Sequence, residues 1–370
     1  MPSISQCSIE DVISQSPGVT RLNVQDLVSN SPSILICAAG FETRFDAVAR
    51  LVLSSGLRLR QVILVTLASN TEKDRENCAK LVAMLSPISD RPPVVINGDA
   101  SGFVEELRSL VMMEDADNRD AAHVLFDTSV AANRLILRTL QVLLESDCEL
   151  TIGYTEAEIY HPEQTEFETN ETAWTSDESL GTEMGVQEIT RSNEYPGEHL
   201  DALSNVVVLL PNFRHERSAA VISQTDAALL NRATDDVVWI LGRPHLEKDV
   251  WRREAMRKIN RIGDDAKVLE ASTFDYRQTW ALLESIYQER WETSNLTISP
   301  LGSKLQAVAV TLFCFRHSDV RVLFSTPKKY NTEQWSDGVR ESWQISFGDV
   351  GDFASRVREP GRLRIEGFGC

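Results

Sequence analysis

The chain has no apolar run that approaches the roughly 20 residues needed to cross a bilayer. Its first ten residues lack the basic stretch followed by an apolar one that marks a secretory signal. Its six cysteines lie far apart, and no two of them have the spacing of metal ligands. From these absences we expect a cytoplasmic protein in a reducing environment, without a membrane segment.

Common motifs of cofactor and hydrolase chemistry are also missing. The sequence contains no P-loop and no Gly-x-Gly-x-x-Gly after its first predicted strand. It contains no Gly-x-Ser-x-Gly elbow, and its six histidines lack the spacing of zinc ligands. We therefore expect no cofactor, and a serine hydrolase of the common α/β type is excluded.

Positive charge is scarce, since the formal net charge is -18. A general coat of nucleic acid is therefore not expected, because phosphate contacts require clusters of Lys and Arg. Much of the excess comes from residues 156–201, which contain thirteen acidic residues and one basic residue, Arg191. The composition predicts a solvated connector between domains, and a docking surface for a basic partner is the alternative.

What the sequence does contain is a pattern that occurs twice. Five segments of the first half match five of the second half in the same order, at offsets of about 170 to 176 positions by subtraction. We interpret the halves as two copies of one five-strand unit. The matched pairs are 35–44 with 207–217, 62–74 with 237–249, 93–103 with 267–276, 123–129 with 296–302, and 154–160 with 325–330.

The predicted strands are short runs of Val, Ile and Leu without polar alternation, which is typical of parallel strands covered on both faces. They alternate with helical patterns, so the sequence predicts an α/β fold with two tandem Rossmann-like units, each a mostly parallel sheet flanked by helices. The predicted parts are an N-terminal helical segment 1–31, unit one 32–162, an acidic connector 163–204, unit two 205–331, and an aromatic C-terminal tail 332–370.

Ligands of open parallel sheets bind outside the carboxyl ends of the strands. The two predicted rims differ in charge, because the second carries several Arg and Lys residues that suit phosphate. On the first rim we select Gly40, Glu42, Arg44, Asp127, Ser129 and Arg134 as candidate ligand-binding residues, with Ser69 and Asn70 on the same edge. On the second rim we select Arg214, Arg217, Arg243, Gly302, Ser303, Lys304, Thr326 and Lys328.

The loop before the fourth helix of unit two is the sharpest element of the second rim. Gly302 lets the backbone approach a ligand, and Ser303 is placed to cap the helix. Lys304 then falls in the first turn, where the helix dipole disfavours a cation. An anion nearby explains that placement, and a solvent-facing lysine is the alternative.

The run Ser-Pro-Leu-Gly-Ser-Lys at 299–304, between a strand and a helix, resembles the ligand-contacting loop of CRISPR-associated Rossmann-fold sensor domains. Asp127-Thr128-Ser129 with Arg134 resembles that loop more loosely. The resemblance implies paired Rossmann-like units that bind cyclic or linear oligonucleotide signals between them, in bacterial antiviral systems. This chain departs from the pattern because both units lie in one chain, their rims differ, and no effector domain is recognisable.

Three hypotheses of function follow. The first is a non-catalytic sensor or regulatory protein that binds a phosphorylated small molecule or an oligonucleotide and acts through a protein partner or a homodimer. The second is a metal-dependent phosphohydrolase or nuclease centred on Asp127, with Glu42, Asp99 or Glu156 as further carboxylates. The third is a structural subunit of a larger assembly. His215 and His245, both on the second rim, could serve phosphate binding or acid–base chemistry.

Overall fold

A computed structural model describes residues 8–67, 71–117, 121–175, 183–231, 235–331 and 335–359. Its strands are β1 (Thr20–Arg21), β2 (Ile34–Ala38), β3 (Gln61–Thr66), β4 (Val94–Asn97), β5 (Ala122–Asp127), β6 (Cys148–Thr155), β7 (Ile159–Tyr160), β8 (Glu183–Met184), β9 (Glu188–Pro196), β10 (Ser204–Leu210), β11 (Val237–Arg243), β12 (Lys267–Ser272), β13 (Ser294–Pro300), β14 (Arg321–Thr326), β15 (Lys329–Tyr330), β16 (Ser336–Asp337) and β17 (Ser342–Asp349). Its helices are α1 (Ile9–Gln15), α2 (Val24–Asn30), α3 (Ala47–Ser55), α4 (Glu72–Leu85), α5 (Phe103–Asp117), α6 (Asn133–Leu144), α7 (Gln164–Thr169), α8 (Glu171–Thr175), α9 (His215–Thr225), α10 (Trp251–Ile259), α11 (Tyr276–Arg290), α12 (Lys304–Arg316) and α13 (Val350–Arg358).

The predicted α/β fold class is confirmed. The first sheet has the strand order β1-β17-β6-β5-β2-β3-β4, and the second has the order β12-β11-β10-β13-β14-β9. Within each sheet five strands are parallel and are joined by helices. When the five parallel strands of each unit are numbered along the chain, their spatial order across the sheet is 3-2-1-4-5 in both units, a similarity that fits the duplication inferred from the sequence.

Each sheet is completed by a strand that follows the other unit in the chain. Strand β17, from the predicted aromatic tail, pairs antiparallel with β6 of the first sheet. Strand β9, from the predicted connector, pairs antiparallel with β14 of the second sheet. Two short ladders, β7 with β16 and β8 with β15, repeat the same crossing. The two units are therefore interlocked through a reciprocal strand exchange.

The residues predicted to form a solvated connector are instead largely folded. Helices α7 and α8 dock on α10, where Phe167 and Trp174 pack with Ala255 and Ile259. At the edge of this contact, the Lys258 ammonium lies 2.9 Å from a Glu171 carboxylate oxygen. The polar composition misled the prediction because short helices and an edge strand bury only one face, so few apolar residues suffice.

The hydrophobic core runs without a break through both units. Its centre is the contact of α6 from the first unit with α12 from the second. Helix α12 is buried on all sides from Leu305 to Phe315, which is why its sequence is apolar around the whole helix. Tail residues Ile345 and Phe353 are buried in the same core. Among the described residues, no helix has both the length and the apolar character that a membrane span requires.

Candidate functional site

The strand-end loops of the two units meet at the helix contact of α6 and α12. The Asn133 amide, at the start of α6, donates to the carbonyl oxygens of Pro300 (2.8 Å) and Gly302 (2.9 Å) in the second unit. Around this point lie the two residues Glu42 and Arg44 of the first rim and the residues Glu183, Arg214, Arg217 and Lys304. We call these six residues the inter-unit site.

The first unit contributes a buried ion pair. Arg44 Nη2 lies 2.9 Å from Glu42 Oε2, and both side chains are at most 4% exposed. Arg44 also donates to the Thr155 carbonyl at 2.6 Å and to the Tyr160 hydroxyl at 3.3 Å. Burial lowers the pKa of the Arg44 guanidinium, but Glu42 and the neighbouring tyrosines outweigh it and raise that pKa above its ordinary value. Ser336, from β16, donates to Glu42 at 2.5 Å.

The second unit repeats this arrangement with a carboxylate from a different place. Arg217 Nη1 donates to both carboxylate oxygens of Glu183, each at 2.6 Å, and Arg217 Nη2 donates to the Ser325 carbonyl. The Asn212 amide donates to Glu183 Oε2 at 3.0 Å, and Arg214 donates to the Glu183 backbone carbonyl. Whereas Glu42 lies on the same loop as Arg44, Glu183 lies on β8, which comes from the predicted connector.

Lys304 lies between the two ion pairs. Its electrostatic neighbours are Glu42 and Arg44 from the first unit and Glu183 and Arg217 from the second. Burial, as the leading cause, lowers the pKa of the Lys304 ammonium from 10.5 to about 8. Within the described part of the chain, no carboxylate lies at ion-pair distance from this ammonium. A partly buried lysine in the first turn of a helix therefore has no carboxylate at ion-pair distance among the described residues.

Several buried polar atoms around the inter-unit site have no hydrogen-bond partner among the described residues. Because buried polar groups are nearly always paired, a cluster of unpaired ones indicates that a ligand or water completes the site. These atoms are Asn133 Oδ1, Arg134 Nε, Asn212 Oδ1, Arg214 Nε, Arg217 Nε, Gln306 Nε2 and Ser325 Oγ.

An aromatic cluster lies next to the same cations. The Phe41 ring, from the first rim, is 6.2 Å from the Tyr330 ring and 5.8 Å from the Trp335 ring. Burial and the nearby Glu183 raise the pKa of the Tyr330 hydroxyl to about 12, so it is uncharged at neutral pH. The site therefore combines cations with aromatic faces from both units.

Asp127 and Ser129, on the first rim, form hydrogen bonds with each other. Asp127 is 2% exposed, and its Oδ1 accepts from the Ser129 amide at 2.9 Å and from the Ser129 hydroxyl at 2.5 Å. Burial raises the pKa of Asp127 to about 6. No group of three or more His, Cys, Asp or Glu side chains in the described ranges could hold a metal ion.

The other residues that were selected from the sequence as ligand-binding candidates lie in different environments. Ser303 caps α12 by accepting from the Gln306 amide, as its position in the sequence predicts. Arg134 Nη1 lies 3.6 Å from Asp99 Oδ1. Arg243 is exposed and donates to the Gln278 side chain at 3.0 Å. Gly40, Thr326 and Lys328 lie at strand ends, with Lys328 exposed, while Ser69 and Asn70 fall outside the described residues.

The two histidines predicted on the second rim have different surroundings. His215 begins α9, whereas His245 Nε2 lies 3.2 Å from a carboxylate oxygen of Glu156 in the first unit. The indole of Trp343 donates to the other Glu156 oxygen at 2.8 Å. The His245 ring stacks on Phe274, with ring centroids 4.3 Å apart. This contact joins the units at a second point.

Sequence reasoning missed Glu183, Ser336 and Trp335 as site residues. Glu183 and Ser336 lie on two-residue strands that form only through pairing with the other unit. The sequence held a partial signal of these short strands, because the match of Tyr160 with Tyr330 extends the repeat past the fifth strand of each unit.

Comparisons with known proteins add a solved structure of low similarity. No family model and no curated protein matches the chain. A solved structure that is similar is the crystal structure of the cytoplasmic domain of a prokaryotic cation chloride cotransporter. The match covers 82% of this chain and 99% of that one, with 8% identity and a TM-score of 0.23. At this level the likeness carries no argument about function.

Proposed function

We propose that the protein is a cytoplasmic, non-catalytic sensor that binds an anionic ligand at the inter-unit site. The observation that carries the proposal is a surplus of positive charge on side chains that are buried or partly buried. Arg44, Arg214, Arg217 and Lys304 contribute four positive charges, and Glu42 and Glu183 contribute two negative ones. The buried Asp127 carboxylate, which interacts electrostatically with Arg44, offsets one more, so at least one positive charge is left over. Uncompensated buried charge is costly, so an anion that pairs with it gains binding energy.

The surroundings favour a phosphorylated ligand with an aromatic base. Lys304 stands at the N-terminus of α12, where the helix dipole and backbone amides attract phosphate. Phe41, Tyr330 and Trp335 offer ring faces beside the cations, and a base stacked on an aromatic side chain contributes about 1–3 kcal/mol. A nucleotide or short oligonucleotide matches both features. The resemblance of 299–304 to the CRISPR-associated sensor loop points to the same class and to a role in antiviral defence.

The site is unequal on its two sides, which bears on how a ligand would bind. At the start of α6, the position that corresponds to Lys304 holds Asn133, whose amide is already used in the contact between units. One central cation rather than two implies one bound ligand per chain in a single orientation. The response would then pass to a protein partner or to a second copy of the chain.

Titration calorimetry with the full chain tests the proposal. We expect mononucleotides or cyclic and linear oligonucleotides to bind, and the unphosphorylated nucleosides not to bind. Lys304→Met should weaken binding about 10- to 100-fold, because a hydrogen bond to a charged group is worth about 1.5–3 kcal/mol. Lys73→Met, at an exposed position of α4, is the matched control and should bind as the wild type does. The proposal is wrong if no phosphorylated compound binds, or if Lys304→Met leaves affinity unchanged.

A further inference from the structure

Glu183 is held in the way that a bound anion is held. Its carboxylate receives two hydrogen bonds from Arg217 and one from the Asn212 amide, and its backbone carbonyl receives one from Arg214. The residue is 2% exposed. All three donors belong to the strand-end loop and first helical turn after β10, where a ligand of a parallel sheet is expected.

The origin of this carboxylate sets it apart from Glu42. Glu42 is two residues from Arg44 on one loop, so the pair forms within the first unit. Glu183 is 34 positions from Arg217 and reaches it from β8. Strand β8 is held to the rest of the sheet structure by two residue pairs with β15. An acidic side chain on so short a strand can leave its site at less cost than one within a rim loop.

We infer that Glu183 is an internal competitor for the anion site: its carboxylate occupies the place of a ligand phosphate, and the ligand binds by displacing it. This inference rests on the proposed function of the inter-unit site. Displacement keeps Arg217 paired, because a phosphate replaces the carboxylate on the same donors. Glu183 then returns to water, where its charge is solvated.

The competition has two consequences for recognition. A ligand must supply more favourable contacts than one carboxylate does, so weak monoanions are rejected and ligands with several anionic groups are selected. Displacement also breaks the pairing of Glu183 with Tyr330 in the β8 and β15 ladder. Because Tyr330 packs on Trp335 with ring centroids 5.8 Å apart, binding should change the fluorescence of this tryptophan.

The test compares Glu183→Gln with the wild type in the full chain, with inorganic pyrophosphate and ATP as probes in calorimetry. Gln keeps the shape of the side chain but removes the competing charge, so we expect at least about tenfold tighter binding of both probes. Glu188→Gln, on the exposed side of β9, is the matched control and should leave affinity unchanged. Glu183→Asp, which withdraws the carboxylate by one methylene, serves if the Gln variant does not fold, and should also bind more tightly.

The outcomes separate the two proposals. If the wild type binds a probe and Glu183→Gln binds it equally or more weakly, Glu183 is a structural partner of Arg217 and the competitor role is wrong. If neither the wild type nor any variant binds either probe, the anion site itself is wrong and the competitor role falls with it. Binding by Glu183→Gln alone supports both.

Discussion

Removal of the buried Arg44 guanidinium should cost far more stability than removal of the whole Arg44–Glu42 pair. In Arg44→Met the Glu42 carboxylate stays buried with the Ser336 hydroxyl as its remaining donor in the described structure. Breaking a buried ion pair in this way typically costs about 3–5 kcal/mol. We therefore expect a loss of that size in the free energy of unfolding.

The double variant Arg44→Met with Glu42→Leu removes both charges of the pair, so that the Glu42 carboxylate is no longer buried without a cation. Its main remaining penalty is the Thr155 carbonyl, which loses the 2.6 Å hydrogen bond from Arg44 and costs about 1–3 kcal/mol if unsatisfied. The Ser336 hydroxyl also loses Glu42 as its acceptor, but a hydroxyl can rotate towards another one. The second substitution should therefore recover at least about 2 kcal/mol, since apolar replacement of a whole buried pair is often neutral or stabilising.

Urea denaturation of the wild type, both variants and a control provides the measurement. The control is Arg58→Met, which breaks an exposed pair with Asp90 at 2.9 Å and should change stability by less than about 1 kcal/mol. Equal destabilisation of the single and double variants would refute the reasoning, because it would show that the cost lies in lost packing and not in an unpaired carboxylate.

Two further predictions concern Lys304 and the exchanged strand. Burial places the pKa of Lys304 at about 8 in the folded protein against 10.5 as its ordinary value, so the unfolded state binds more protons between these values and stability rises with pH across that window. Lys304→Met should abolish this rise, which denaturation from pH 7 to pH 10 would show; a retained rise would exclude Lys304 as its source. Anion affinity of the wild type should fall above pH 8 as the ammonium loses its proton. Ile345→Ala in β17, where the side chain is 1% exposed, should cost about 2–5 kcal/mol, and thermal unfolding should show one transition, because both units share a core; two separate transitions would contradict the shared core.

The parallel strands and the helices between them could be predicted because each depends on residues close in sequence. The Val, Ile and Leu runs of β2 and β10 mark buried strands, and Ser303 marks the start of α12. Helix ends were less certain. Residues Glu247–Asp249 form a short 3-10 turn, and α10 starts only at Trp251.

The exchanged strands and Glu183 could not be predicted because their structure comes from distant pairing. Strand β9 exposes four of its nine residues and carries few apolar side chains, so locally it looks like a connector. The register that brings Glu183 opposite Tyr330 depends on how the two units pack, and no short motif encodes it. The rim residues were predicted as a set, but their pairing into Arg44–Glu42 and Arg217–Glu183 was not.

The reciprocal strand exchange also sets the order in which the protein can be completed during synthesis. The outer partner of β6 is β17, and the hydroxyl groups that meet between them, Thr155 and Ser342, are 187 positions apart. The edge of β6 therefore stays unpaired on the ribosome until the whole second unit has been translated. An open edge of this kind invites association between nascent chains. Neither half of the gene product should accumulate as a folded protein when expressed alone, whereas the two halves made together should assemble.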